Sequence, residues 1–148
     1  MIGVLHRFLR LDADLRRVVL VAAWTVVLVR LGLWLLPFRI VNSAASRPRR
    51  LSPLMAFTSN ERLAWAVRAV AARIPKATCL TQALALQVLM AKAGKQTQLQ
   101  IGVARGKDFE AHAWLVDQGK VLIGDNGYLG KYTRLQTSNS KSGRPSEA

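Results

Sequence analysis

Cys79 is the only cysteine of the chain, and the apolar run after it, with Thr78 ahead as a cap, places it at the start of a predicted helix. A thiol is a weak nucleophile until ionised. A helix N-terminus favours ionisation because unpaired amides and the helix dipole stabilise thiolate. The Cys79 amide, one of those unpaired donors, can also help bind an oxyanion. Most free cysteines are small buried hydrophobes, so position alone leaves both readings open.

His112 adds weight to the chemical one. The segment from His112 to Asp125 reads as two strands about an Asp-Gln-Gly-Lys turn. With Gln118 and Gly119 at the centre of that turn, Asp117 faces Lys120, Val116 faces Val121, Trp114 faces Ile123 and His112 faces Asp125. Side chains alternate between faces, so these residues are expected on one face, apolar near the turn and ionisable at the far end. Directly opposed Cβ atoms lie roughly 4.5–5.5 Å apart. Asp125 is therefore expected to accept an imidazole N–H, orient the ring and leave its other nitrogen for the thiol. A slip of one residue would separate the two onto opposite faces. Asp117, about 16 Å from His112 along the strand, is expected to serve the turn alone. Trp114 is expected to shield the pair from water. His6, on the basic N-terminal segment, reads as a surface residue.

The elements that must position these groups can be read from periodicity. A helix is predicted from about residue 59 to 73, capped by Ser59 or Asn60, with Leu63, Val67 and Val70 on one face. The helix from Cys79 to about Ala93 is apolar over most of its circumference, and Gly94 stops it; such a helix belongs in the interior. From residue 97 the period changes to two, giving strands around Leu99, Ile101 and Val103, from Phe109 to Val116, and from Lys120 to Asp125. Helices followed by an antiparallel sheet define an α+β fold. Residues 42–54 read as a loop by composition, and residues 133–148 as a disordered tail.

The N-terminal part is apolar and basic. Residues 18–36 are nearly continuous hydrophobe interrupted by Thr25, Arg30 and Gly32, approaching the length of a membrane span. Arg30 would cost roughly 2–3 kcal/mol near a bilayer centre, and the run lacks the layout of a signal peptide. Helices packed on the domain or on a partner are the expectation; a membrane-surface helix and a true span stay open. The net charge of +14 predicts attraction to something anionic without choosing among nucleic acid, membrane and acidic polypeptide. One cysteine excludes an internal disulfide framework and allows a reducing, cytoplasmic setting. No glycine-rich phosphate loop and no Cys/His set with zinc spacing is present.

The segments Cys79-Leu-Thr-Gln-Ala-Leu-Ala-Leu, Leu99-Gln-Ile-Gly-Val, Phe109-Glu-Ala-His-Ala-Trp and Ile123-Gly-Asp, with Leu35-Leu-Pro-Phe-Arg upstream, resemble the transglutaminase-like peptidases of lasso-peptide biosynthesis. The order Cys, His-Ala-Trp, Gly-Asp is specific, whereas any one piece is weak. The resemblance implies a transglutaminase-like, papain-like fold and a cysteine protease that removes the leader of a ribosomally made precursor peptide. Cys79, His112 and Asp125 match the nucleophile, general base and orienting acid. It also implies a macrolactam-forming cyclase that closes the freed core peptide. Some members carry a leader-binding module on the same chain, and because 148 residues leave no room for one, a separate leader-binding protein is expected. No cofactor or metal and no nucleic acid is expected. On this reading residues 1–54 form a basic docking region, 55–132 the peptidase core and 133–148 the tail. A transamidating enzyme with the same triad and a non-catalytic basic binding protein are the competing readings.

Overall fold

The computed structural model describes residues 2–106 and 108–135. Its centre is the helix that the sequence makes apolar nearly all round, α6 (Cys79–Lys92), in which every residue from Ala83 to Met90 is buried. Thr78 caps its start, the hydroxyl accepting from the Thr81 amide at 3.4 Å. Gly94 ends it in the left-handed region at φ 76°. There the Lys95 amide reaches back to the Met90 carbonyl and the Gly94 amide to that of Ala91, a Schellman closure that needs a residue without Cβ strain.

Among the described residues five more helices precede it: α1 (Ile2–Leu9), α2 (Ala13–Leu35), α3 (Phe38–Ser46), α4 (Pro53–Ala56) and α5 (Asn60–Ala71). α2 and α5 pack on α6 and on each other, and α3 covers a further side. α2 is long and apolar enough to cross a membrane by length and composition. Even so, Val18, Ala22, Thr25, Val26 and Val29 are buried on its inner side, the four apolar ones in the same core as α6. Residues 42–46, expected as loop, belong to α3. Val41 and Ala45, one turn apart, are buried with the main core, and that packing outweighs the turn-forming composition of Asn-Ser-Ala-Ala-Ser. α5 starts at the expected cap, Ser59 accepting from the Arg62 amide at 3.3 Å.

After α6 come β1 (Gln98–Arg105), β2 (Phe109–Asp117), β3 (Lys120–Ile123), a short 3-10 turn (Leu129–Lys131) and β4 (Thr133–Leu135). They form one antiparallel sheet in the order β3-β2-β1-β4, so helices plus antiparallel sheet give the α+β class. Thr133–Leu135, expected to open a disordered tail, instead pair with β1; the rest of that expected tail lies outside the described residues. Gln118 and Gly119 both have positive φ, 45° and 83°, the two-residue primed turn that suits strand twist. Asp117 does more than serve the turn: its carboxylate accepts from Asn60 Nδ2 at 3.1 Å, while Asn60 Oδ1 accepts from Lys95 at 2.5 Å. One asparagine thus ties α5, the hairpin and the end of α6 together.

The sheet has two occupied faces. Leu99, Ala113, Leu115 and Ile123 join the helical core, with Ile101 packed against it. Trp114, Val116 and Tyr132 form a smaller cluster on the other face, with Ala104, Val121 and Leu129 beside them. Gly102 makes that second cluster fit. A Cβ there would stand 2.6 Å from Tyr132 Cβ and 2.9 Å from Trp114 Cη2. Gly102→Ala is expected to destabilise the protein by about 1–3 kcal/mol through overpacking against a buried indole, read as a lower urea midpoint at unchanged m-value.

Candidate active site

Cys79 is the first residue of α6 and is half-buried against the main core. The first amides of a helix have no intrahelical acceptor. Thr78 takes the amide of Thr81, and its carbonyl takes that of Gln82, so the amides of Cys79 and Leu80 remain to face an incoming anion. Only five residues separate α6 from β1. The far end of α6 (Ala91) shares a cleft with Gln98, Val116 and Gly119, which places Cys79 toward the opposite end of the sheet, where β2 begins. His112 lies in that part of β2, paired with Gly102.

The structure brings Cys79 and His112 to one end of the fold, yet on different layers. The His112 ring lies on the outer face of the sheet, stacked against both Trp114 (centroids 6.1 Å) and Tyr132 (5.4 Å), which also pack on each other (6.2 Å). Among the described residues no hydrogen bond joins any two of Cys79, His112 and Asp125. His112 Nε2 instead donates to the Gly124 carbonyl at 2.5 Å. A carbonyl oxygen only accepts, so Nε2 carries the proton and Nδ1 is left as the basic nitrogen of the neutral ring.

The expected pairing of His112 with Asp125 therefore needs correction. The register begins as expected, Asp117 with Lys120 and Val116 with Val121, and then shifts at a bulge between Leu115 and Val116. Leu122 is the extra residue, so Ile123 faces Leu115 rather than Trp114 and joins the helical core. A bulge sets two residues against one and re-aims the chain beyond it. β3 ends there. Gly124, at φ 90°, closes on β2 so tightly that a Cβ would stand 2.6 Å from the Ala113 carbonyl oxygen and 2.8 Å from Trp114 Cα. Its own carbonyl then meets the imidazole. Asp125 is exposed, and its carboxylate accepts from the Gly127 amide at 2.8 Å, an Asx turn that shapes the loop carrying Gly124.

Trp114 is 1% exposed and packs against the ring, its indole N–H donating to Gln100 Oε1 at 2.9 Å; the His112–Asp125 pair that it is expected to shield is not formed. Tyr132, a residue beyond the predicted strands that sequence reasoning misses, packs against both the imidazole and the indole. Tyr132 hydroxyl donates to Glu110 Oε1 at 2.6 Å and accepts from Asn126 Nδ2 at 3.1 Å; Lys131 meets Glu110 Oε2 at 2.8 Å. Lys131, with Tyr132, holds the Glu110 carboxyl below its ordinary range, and Glu110 raises Lys131. A signal for Glu110 exists: it stands two residues before His112 and so on the same face. His6 is exposed.

Residues 22–137 match the family model of the transglutaminase-like superfamily, and the chain belongs to that superfamily. Its α+β architecture and a thiol at a helix start with an imidazole on the sheet fit that assignment. Membership points to activity of the cysteine-protease or transglutaminase type. Comparison with curated proteins and with solved structures gave no match.

Gly124→Ala should push the carbonyl away from His112. The expected outcome is loss of the single Nε2–H tautomer, seen in the ring ¹⁵N shifts, together with about 1–3 kcal/mol of destabilisation.

Proposed function

We propose that the protein is a cysteine peptidase that removes the leader from a ribosomally made lasso-peptide precursor. What carries this reading is the combination of a thiol at a capped, core-anchored helix start with an imidazole whose tautomer is set by a backbone carbonyl. Superfamily membership and the order of Cys79, His-Ala-Trp and Gly-Asp support it. β3 stops at Ile123, so among the described residues β2 beside His112 has no strand partner on that side. The proposed chemistry requires the Nδ1 side of the ring and the Cys79 thiol to meet around this notch when the peptide binds, a movement of one layer's side chain toward the other.

In the proposed reaction Nδ1 of His112 takes the thiol proton and the thiolate attacks the carbonyl at the leader–core junction. The Cys79 and Leu80 amides stabilise the oxyanion. The imidazolium gives its proton to the departing amine, leaving a thioester, and His112 then activates the water that hydrolyses it. Asp125 acts as a positioning residue: its Asx turn holds the loop that presents the Gly124 carbonyl to Nε2. A separate leader-binding protein presents the substrate, and a macrolactam-forming cyclase takes the freed core peptide. A transamidase would use the same groups, with an amine in place of water.

Mass spectrometry of a cognate precursor incubated with this protein and its leader-binding partner should show leader and free core peptide. Cys79→Ala and His112→Ala should each reduce cleavage by about a thousandfold or more. Equal processing by Cys79→Ala would remove the nucleophile assignment, and an amine adduct in place of free core peptide would favour the transamidase.

Asn retains an oxygen that can accept from the Gly127 amide. Asp125→Asn is therefore expected to keep cleavage within about tenfold of wild type, with Asp125→Ala lower. A loss of about 10⁴ in Asp125→Asn, the size seen where a triad carboxylate sets the tautomer, would assign the carboxylate directly to the imidazole.

A further inference from the structure

α2 has two apolar faces, and the structure covers only one. Val18, Ala22, Val26 and Val29 point into the core. On the other side Leu20, Trp24, Leu28, Leu31, Trp34 and Leu35 are exposed, Trp24 by 70% and Trp34 by 74%. At 3.6 residues per turn these six fall within an arc of about 120°, opposite the buried stripe. Arg16 and Arg17 continue the same arc at its N-terminal end.

From the geometry and charge we infer that this face lies on an anionic lipid bilayer, with α2 parallel to the membrane plane and the catalytic domain standing above it. Three observations choose this occupant. Residues 15–60 contain seven arginines and no Asp or Glu, which matches an anionic surface. The exposed stripe offers no hydrogen-bonding side chain other than two indoles, whereas protein interfaces carry about one hydrogen bond per 100–200 Å². Tryptophan is also the residue enriched at the membrane–water boundary. The opposite face favours a surface helix over a span, because Val18, Ala22 and Val26 are at most 1% exposed in the core shared with α5 and α6. Crossing the bilayer would strip them from it. An interfacial helix keeps that core intact while its outer side chains enter the headgroup region.

The test is vesicle flotation of the full chain on phosphatidylcholine with and without phosphatidylglycerol. A Trp24→Gln/Trp34→Gln double variant runs alongside, its thermal melt serving as the fold control. Wild type is expected to float with the anionic vesicles and much less with the neutral ones. The double variant should partition at least about tenfold more weakly, and brominated lipid should quench wild-type tryptophan fluorescence. Equal partitioning of variant and wild type would overturn the proposal, since charge alone would then explain binding. Failure to float would overturn it as well. If failure came with self-association that the double variant abolished, the face would instead be an interface between protein chains.

Discussion

The burial of α6 on every side is the constraint on which the rest of the molecule depends. A helix of Leu, Ala, Val and Met with hardly a polar stripe has no face to give to water. It must be ringed, and the chain supplies α2, α3 and α5 around it and the sheet along its length. The ends of such a helix are where its chemistry can surface. At one end Gly94 turns the chain back into β1; at the other the cap leaves Cys79 half-buried, held by the core while its first amides face outward. The proposed nucleophile thus stands at the edge of the most deeply buried helix, anchored by the core.

The proposed base is positioned by a different device. His112 is held by stacking on Trp114 and Tyr132 and by one backbone carbonyl, and that carbonyl arrives through a single bulge. Leu122 and Ile123 both turn to the helical side, and the following Gly124 folds onto β2 at a distance no larger residue tolerates. The carboxylate of Asp125, Glu110 with its Lys131 and Tyr132 partners, and Asn126 all brace the surroundings of the imidazole. In the proposed reaction such a network divides labour: one group does the proton chemistry while several neighbours restrict its orientation.

Much of this is legible in the sequence because local rules and packing agree. The cap at Thr78, the stop at Gly94, the Gln118-Gly119 turn and the inward helix face of Leu63, Val67 and Val70 each stand where composition and period put them. The α+β layout is visible in the change of period at residue 97. The failures have physical causes. Asn-Ser-Ala-Ala-Ser reads as loop, but Val41 and Ala45 have a core to meet. The pairing of His112 with Asp125 assumes an unbroken ladder, and a bulge has no reliable signature when the extra residue is as ordinary as Leu122. Gly124 is the available hint, since glycine at a strand end marks a close backbone approach. Tyr132 borders a stretch that looks polar, although one aromatic there is enough to close the second cluster.

The stack on His112 also has a consequence for the order in which the molecule becomes competent. Cys79 and its helix are complete early in the chain, and their partners α2, α3 and α5 precede them. Tyr132 and β4 come last and pack across β1 onto a ring made about twenty residues earlier. During synthesis the helical partners of Cys79 are therefore present before the stack on His112 can close, while the sheet that completes the core of α6 follows it. The stretch around Tyr132 is thus the last piece to arrive, the latch that closes the aromatic cluster over the proposed site.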